Sequence, residues 1–106
     1  MSAMTGCIAQ RELLYSDRAG RERRRLVVRI FAPFDVQEGT VNFDIGEGVS
    51  GCRYEVDGLP EKVEDTVYGA DAVQALQLAT DVDGILRSFR RKYDFYFPSG
   101  EQYFDD

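Results

Sequence analysis

One stretch alone in this sequence spaces its apolar residues at intervals of three and four: Val73, Leu76, Ala79, Val82, Leu86 and Phe89. That spacing gathers them on one stripe of an α-helix, which must find an apolar surface to lie against. Asp71 stands where an N-cap belongs and Gln74 follows three residues on, close to a capping box with Asp in place of Ser or Thr. The spacing predicts a helix over roughly 71–91, with Arg87, Arg90, Arg91 and Lys92 placed to oppose the dipole at its C-terminal end. Gly84 interrupts it at a cost of about 1 kcal/mol relative to alanine, so a bend or an early end is expected there.

Elsewhere the apolar residues alternate, which is the period of a half-buried strand. Residues 7–15 and 23–32 read as two strands joined by the polar stretch 16–22. In the second, Leu26, Val28 and Ile30 point one way and Arg23, Arg25 and Arg29 the other, so one face is core and the other solvent. Pro33 ends it, because proline offers a ladder no donor. Val41, Phe43 and Ile45 alternate with Asn42 and Asp44, and Cys52, Tyr54 and Val56 alternate with Arg53, Glu55 and Asp57, which predicts a hairpin across Gly46-Glu47-Gly48. Asp57-Gly58-Leu59-Pro60 supplies the next turn, followed by a strand over 62–68 with Val63 and Val67 inward. After the helix, Tyr93, Phe95 and Phe97 alternate with Asp94 and Tyr96 and predict a short last strand. The end, from Glu101, is expected to be loose unless Tyr103 and Phe104 dock. The expected fold is one α+β domain, an antiparallel sheet of about five to six strands packed against one long helix in the order β-β-β-β-β-α-β.

A chain of 106 residues, 43% hydrophobic and 30% charged, is sized for one core without help from metal or disulfide, since that length buries roughly 65% of its unfolded surface. Met1–Cys7 has neither the basic nor the apolar segment of a leader peptide, and no run approaches the ~18 apolar residues of a membrane span. A cytoplasmic protein with no membrane contact is expected. Cys7 and Cys52 lack the CxxC spacing of zinc or redox sites and are expected to be buried free thiols.

The net charge of −6 is unevenly spread. Residues 11–29 hold seven arginines against Glu12, Asp17 and Glu22, whereas residues 35–83 hold twelve carboxylates against Arg53 and Lys62. A second basic group follows at Arg87, Arg90, Arg91 and Lys92. Such polarity bears on the choice of partner more than on the fold.

The chain has no histidine. That absence removes Ser-His-Asp and Cys-His catalysis, imidazole proton transfer and histidine-built zinc sites. No GxSxG or GxxxxGK[ST] motif is present either. Gly46-Glu47-Gly48-Val49-Ser50-Gly51 spells GxGxxG, yet a strand rather than a helix is expected to follow, and Glu47 would oppose a phosphate; a glycine-rich turn is the better reading. Asp81-Val82-Asp83-Gly84 resembles part of a calcium loop, but Ala79 and Arg90 occupy its first and last ligand positions. Paired carboxylates such as Glu64 with Asp65 lack any sign of the desolvation that separates the pKa values of an acid/base pair. A carboxylate working with Tyr54 or Tyr68 stays open. No catalytic residue, cofactor or metal is expected.

Cys52–Pro60, reading CRYEVDGLP, and Val67–Ala79, reading VYGADAVQALQLA, resemble the core of a family of small bacterial domains of unknown function. The resemblance implies a small bacterial cytoplasmic protein and brings no catalytic residue with it.

These features favour a protein-interaction module, of the immunity or inhibitor kind, that meets a basic partner with its acidic stretch, residues 35–83, through candidates Glu55, Asp57, Glu61, Glu64 and Asp65. Tyr96, Tyr103 and Phe104, if exposed together, would add an apolar patch. The alternative is a homodimeric structural or regulatory domain joined through an edge strand or the aromatic end. Third is nucleic-acid binding through Arg21, Arg23, Arg24 and Arg25, which the net negative charge opposes.

Overall fold

Leu13 and Tyr15 lie on β1 (Cys7–Asp17), and Leu26, Val28 and Ile30 on β2 (Arg24–Phe31). The antiparallel register pairs Leu13 with Leu26 and Arg11 with Val28, which gathers the apolar side chains on one face. The computed structural model describes residues 6–36 and 49–105, so the strand expected at Val41, Phe43 and Ile45, with its turn at Gly46-Glu47-Gly48, lies outside the described residues.

Pro33 interrupts β2 as its missing donor requires, but the chain re-enters the sheet as β3 (Phe34–Asp35). Ile30 pairs with Tyr54 and Phe34 with Gly51, leaving one extra residue on the first strand and therefore a bulge at Ala32-Pro33. The partner in both pairings is β4 (Ser50–Asp57), which runs on into β5 (Val63–Gly69) through the Gly58 turn. Gly58 has φ +122°, and a side chain there would press on the carbonyl oxygen of Arg25 at 2.5 Å, so the turn admits only glycine. The Tyr15 hydroxyl donates to the Gly58 carbonyl oxygen at 2.7 Å and ties β1 to this turn.

The predicted helix is present as one bent helix in two segments, α1 (Ala72–Ala79) and α2 (Val82–Arg87). Asp71 caps the start, its Oδ1 accepting from the Gln74 N–H at 2.8 Å, while Gln74 Oε1 accepts from the Ala70 N–H at 2.6 Å. The bend falls at Thr80-Asp81, ahead of Gly84. Asp81 accepts from the Gly84 N–H at 3.1 Å and so opens a new N-terminus inside the periodic stretch. Gly84 makes this cap feasible, because a side chain on it would collide with the Asp81 carboxylate.

The last strand, β6 (Tyr93–Tyr96), pairs with the far side of β1. The sheet therefore runs β6-β1-β2-β4-β5, with β3 extending the line of β2 beside β4. Its inner face holds Leu13, Tyr15, Leu26, Val28, Cys52 and Val56, covered by Ala75, Ala79, Val82 and Leu86 of the helix. This is the expected α+β architecture, an antiparallel sheet carrying one helix.

The helix ends at Arg87, short of the expected 91, and three further details depart from expectation. Val73 is 65% exposed, because the buried stripe of α1 runs through Ala75 and Ala79 rather than through Val73. The face of β2 that carries Arg29 is not simply solvent: Val27 and Phe31 are buried there, with the Arg53 guanidinium 4.7 Å above the Phe31 ring. Cys52 is buried and donates to the Phe31 carbonyl oxygen, but Cys7 is only half-buried; both are free thiols. Among the described residues no helix is long and apolar enough to cross a membrane.

The two ends of the helical stripe should respond unequally to truncation. Leu86→Ala, at a fully buried site, is expected to cost about 2–5 kcal/mol, whereas Val73→Ala should change stability by no more than about 0.5 kcal/mol. Urea denaturation of both variants checks this, and comparable losses would contradict the assigned face.

Candidate interaction surface

The acidic stretch divides between the two faces of the sheet. On the outer face, β4 presents Arg53, Glu55 and Asp57, and the neighbouring strands bring Arg29 and Glu64 alongside. Arg29 Nη1 donates to Glu55 at 2.9 Å and to Asp57 at 3.1 Å; Arg53 Nη2 donates to Glu64 at 2.6 Å and to Glu55 at 3.2 Å. Lys62 stands 3.5 Å from Glu64. These cations hold the Glu64 carboxyl below the usual carboxylate range, Arg53 contributing most, while Glu55 and Asp57 raise Arg29. Arg29 is the most enclosed member, with 18% of its side chain exposed. Three of the residues expected to meet a partner, Glu55, Asp57 and Glu64, thus already hold internal cations.

Glu61 plays a structural part at the end of the β4–β5 turn. Its carboxylate accepts from the Tyr93 hydroxyl at 2.6 Å and from Lys92 Nζ at 3.0 Å, joining that turn to the start of β6. The Tyr93 bond, with help from the backbone and Lys92, lowers the Glu61 pKa from 4.5 to about 2, and the same carboxylate pushes Tyr93 up to about 12.

Asp65 differs. It is exposed on the inner side of β5, across from Tyr54, and its Oδ1 accepts from the Thr66 backbone N–H at 2.8 Å. Burial, reinforced by Asp65, raises the Tyr54 pKa. Between this part of β5 and the bent helix lies a groove of about 560 Å³. Its apolar lining comes from Val63, Val67, Leu78, Ile85 and Phe89, and its charged lining from Glu61, Glu64, Asp65 and Asp81 against the single cation Lys62. Leu78 is 47% exposed at this rim. Neither Leu78 nor Ile85 belongs to the helical stripe read from the sequence; two apolar residues off the buried face were the signal available for a second apolar surface.

The aromatic end does not form the exposed patch expected of Tyr96, Tyr103 and Phe104. Tyr96 and Phe104 are each only 8% exposed. Tyr96 faces Ser16, hydroxyl to hydroxyl at 3.2 Å, with the Arg23 guanidinium 3.8 Å over its ring. Phe104 lies beneath Arg87 and Arg90 at 4.9 and 4.6 Å. Tyr103 is half-buried; its hydroxyl accepts from Arg11 at 2.6 Å and donates to Asp83. The Phe104 ring also meets Phe95 and Tyr103 edge-on, and these contacts dock the end that polar composition alone would leave loose.

The arginines of the first hairpin are similarly engaged within the chain. Arg23 also donates to the Gly100 carbonyl oxygen, Arg24 lies 3.9 Å from both Asp17 and Glu22, and Arg25 pairs with Glu12. Arg21 is exposed. Asp81 and Asp83, which resembled a calcium loop, instead cap α2 and accept from Tyr103. Among the described residues no group of three or more Cys, Asp or Glu is placed to hold a metal ion.

The family described as a domain of unknown function, DUF6968, matches residues 9–86. The chain belongs to this family. The matched stretch holds both segments that carried the resemblance and extends from β1 to the end of α2 but for one residue, so it includes the groove lining from Tyr54 to Ile85. The β6 strand and its tail follow it. No curated protein and no solved structure matches the chain.

The depressed Glu61 pKa fixes a pH dependence. Because the folded-state value lies below 4.5, the stability supplied by ionised Glu61 is fully present above pH 4.5 and is lost as pH falls toward about 2. Glu61→Gln should therefore lower the thermal midpoint at neutral pH, with the gap from the unsubstituted protein closing across that acid window. Thermal melts through the window measure it; a gap independent of pH would refute the assignment.

Proposed function

We propose that this chain is a cytoplasmic protein-interaction module that receives a basic segment of a partner protein in the groove between β5 and the bent helix. The observation that carries the reading is the groove's lining, an apolar floor rimmed by carboxylates, of which Glu61 and Glu64 already hold Lys92 and Arg53 while Asp65 and Asp81 accept from backbone N–H groups. Basic side chains with long aliphatic stems suit such a lining, the stems on Val67, Leu78 and Phe89 and the charged heads at the rim. Complementary charge speeds encounter and rejects acidic competitors, which suits an immunity or inhibitor protein facing a basic target. Two free thiols accord with a reducing compartment.

Self-association through an edge strand is the second reading. It draws support from the outer edge of β5, which lies at the end of the sheet among the described residues, but two copies meeting there would bring Glu64 and Asp65 of each chain together. Nucleic-acid binding through Arg21, Arg23, Arg24 and Arg25 is weaker still, because three of these four guanidinium groups are already engaged by the chain's own groups.

Selection from a random peptide display, carried out at low and high salt, tests the basic-partner reading. Enrichment of Lys- and Arg-containing peptides at low salt is expected, with recovery falling as salt screens the groove and by about tenfold in Asp65→Lys. Peptides of no charge preference, or equal recovery by Asp65→Lys, would sink it.

A further inference from the structure

The two edges of the sheet are treated differently. Along β6 the chain closes its own edge: Gln102 bridges to Tyr96, the Tyr103 N–H donates to the Phe95 carbonyl oxygen at 2.9 Å, and the Phe97 N–H donates to Glu101 at 2.8 Å. Along β5 the strand pairs with β4 on one side, and on the other the Thr66 N–H is taken by the carboxylate of the adjacent Asp65. That bond shows that Thr66 directs its backbone groups away from β4. Backbone polarity alternates along an antiparallel strand, so Glu64 directs its N–H and C=O the same way. An edge of this kind is a template for one more strand.

We infer that the outer edge of β5 is the docking site itself, where a basic, extended segment of a partner pairs with the backbone of Glu64 and Thr66 as an added strand. This rests on the basic-partner reading and gives it a geometry. Side chains on the inner side of the added strand enter the groove beside Val63 and Val67, and those on its outer side lie next to Glu64. Asp65 acts as a latch. In the free protein it occupies the Thr66 N–H; an incoming carbonyl oxygen takes over that donor and leaves the carboxylate for a partner Lys or Arg. Charge selects this occupant over a second copy of the chain, since a net charge of −6 and paired Glu64 and Asp65 residues repel one another.

A seven-residue peptide of alternating valine and lysine, matched to the seven residues of β5, is the probe, with amide hydrogen exchange read residue by residue. Saturation should slow exchange at Glu64 and Thr66 by about tenfold or more, and the same peptide N-methylated at alternate residues should not. Thr66→Pro removes an outward N–H without touching the β4 ladder and should abolish binding; if it fails to fold, the N-methylated peptide decides alone. Asp65→Asn keeps an acceptor for Thr66 but loses the charge, and should weaken binding while preserving the exchange pattern. Binding of the peptide with no protection at Thr66 overturns strand addition and leaves the basic-partner reading standing. Failure of every basic peptide to bind overturns both. Protection of β5 that rises with protein concentration alone makes a second copy the occupant and overturns this assignment.

Discussion

The close seat of α1 on the end of β5 governs the rest of this fold. Gly69 has no side chain at the point where the helix starts its passage, and a Cβ there would lie 2.5 Å from the Ala75 backbone nitrogen. Ala75 and Ala79, both wholly buried, keep the approach short along the next turn. Small residues at a crossing let backbones approach and exclude water from Cys52 and Val56 beneath, but they also leave little bulk to fill the margin. Leu78 and Ile85 of the helix, with Phe89 just beyond its end, stand at that margin and make the groove wall. Tight contact at one place and an open cleft beside it are two consequences of one choice of residue size.

The bend at Asp81 has a parallel effect on the other flank. A helix that ran on without interruption would leave its middle amides bonded within itself. Here the Asp81 carboxylate meets Gly84, and Asp83, in the first turn of α2, receives the Tyr103 hydroxyl. The tail is thereby brought over β6, where Phe104 completes the core under Arg87 and Arg90. The tail that closes the β6 edge is thus tied to Asp83, 20 residues before Tyr103 in sequence.

Period-two alternation made the strands legible, and the spacing of Val82, Leu86 and Phe89 made the helix legible, because burial on one face leaves a direct trace in the order of residues. The face of α1 was misread at Val73: spacing alone does not reveal that the buried side of α1 is centred on Ala75 and Ala79. The bend was expected at Gly84, where intrinsic propensity is poor, and fell at Asp81, where a side chain competes for the backbone. The state of the candidate surface residues was the least legible. Acidic composition could not distinguish Glu55, locked between Arg29 and Arg53, from Asp65, since ion pairs between strands depend on register. Tyr96 and Phe104 looked like surface aromatics because the groups that cover them, Arg23 over Tyr96, and Phe95, Arg87 and Arg90 around Phe104, are brought up by the fold and not by neighbouring sequence.

Recognition by charge requires carboxylates that a partner can use at small cost. Those on the outer face would first have to surrender Arg29 and Arg53, and breaking such hydrogen-bonded pairs strands charges that have already lost part of their hydration. Asp65 surrenders only a backbone N–H, and a partner's backbone can supply that donor with another acceptor in the same movement. The exchange leaves no group unsatisfied, which is the condition for a polar surface to bind without loss. Of the acidic residues described on this sheet, Asp65 is the one that the proposed strand addition would free for a partner's cation without breaking an internal ion pair.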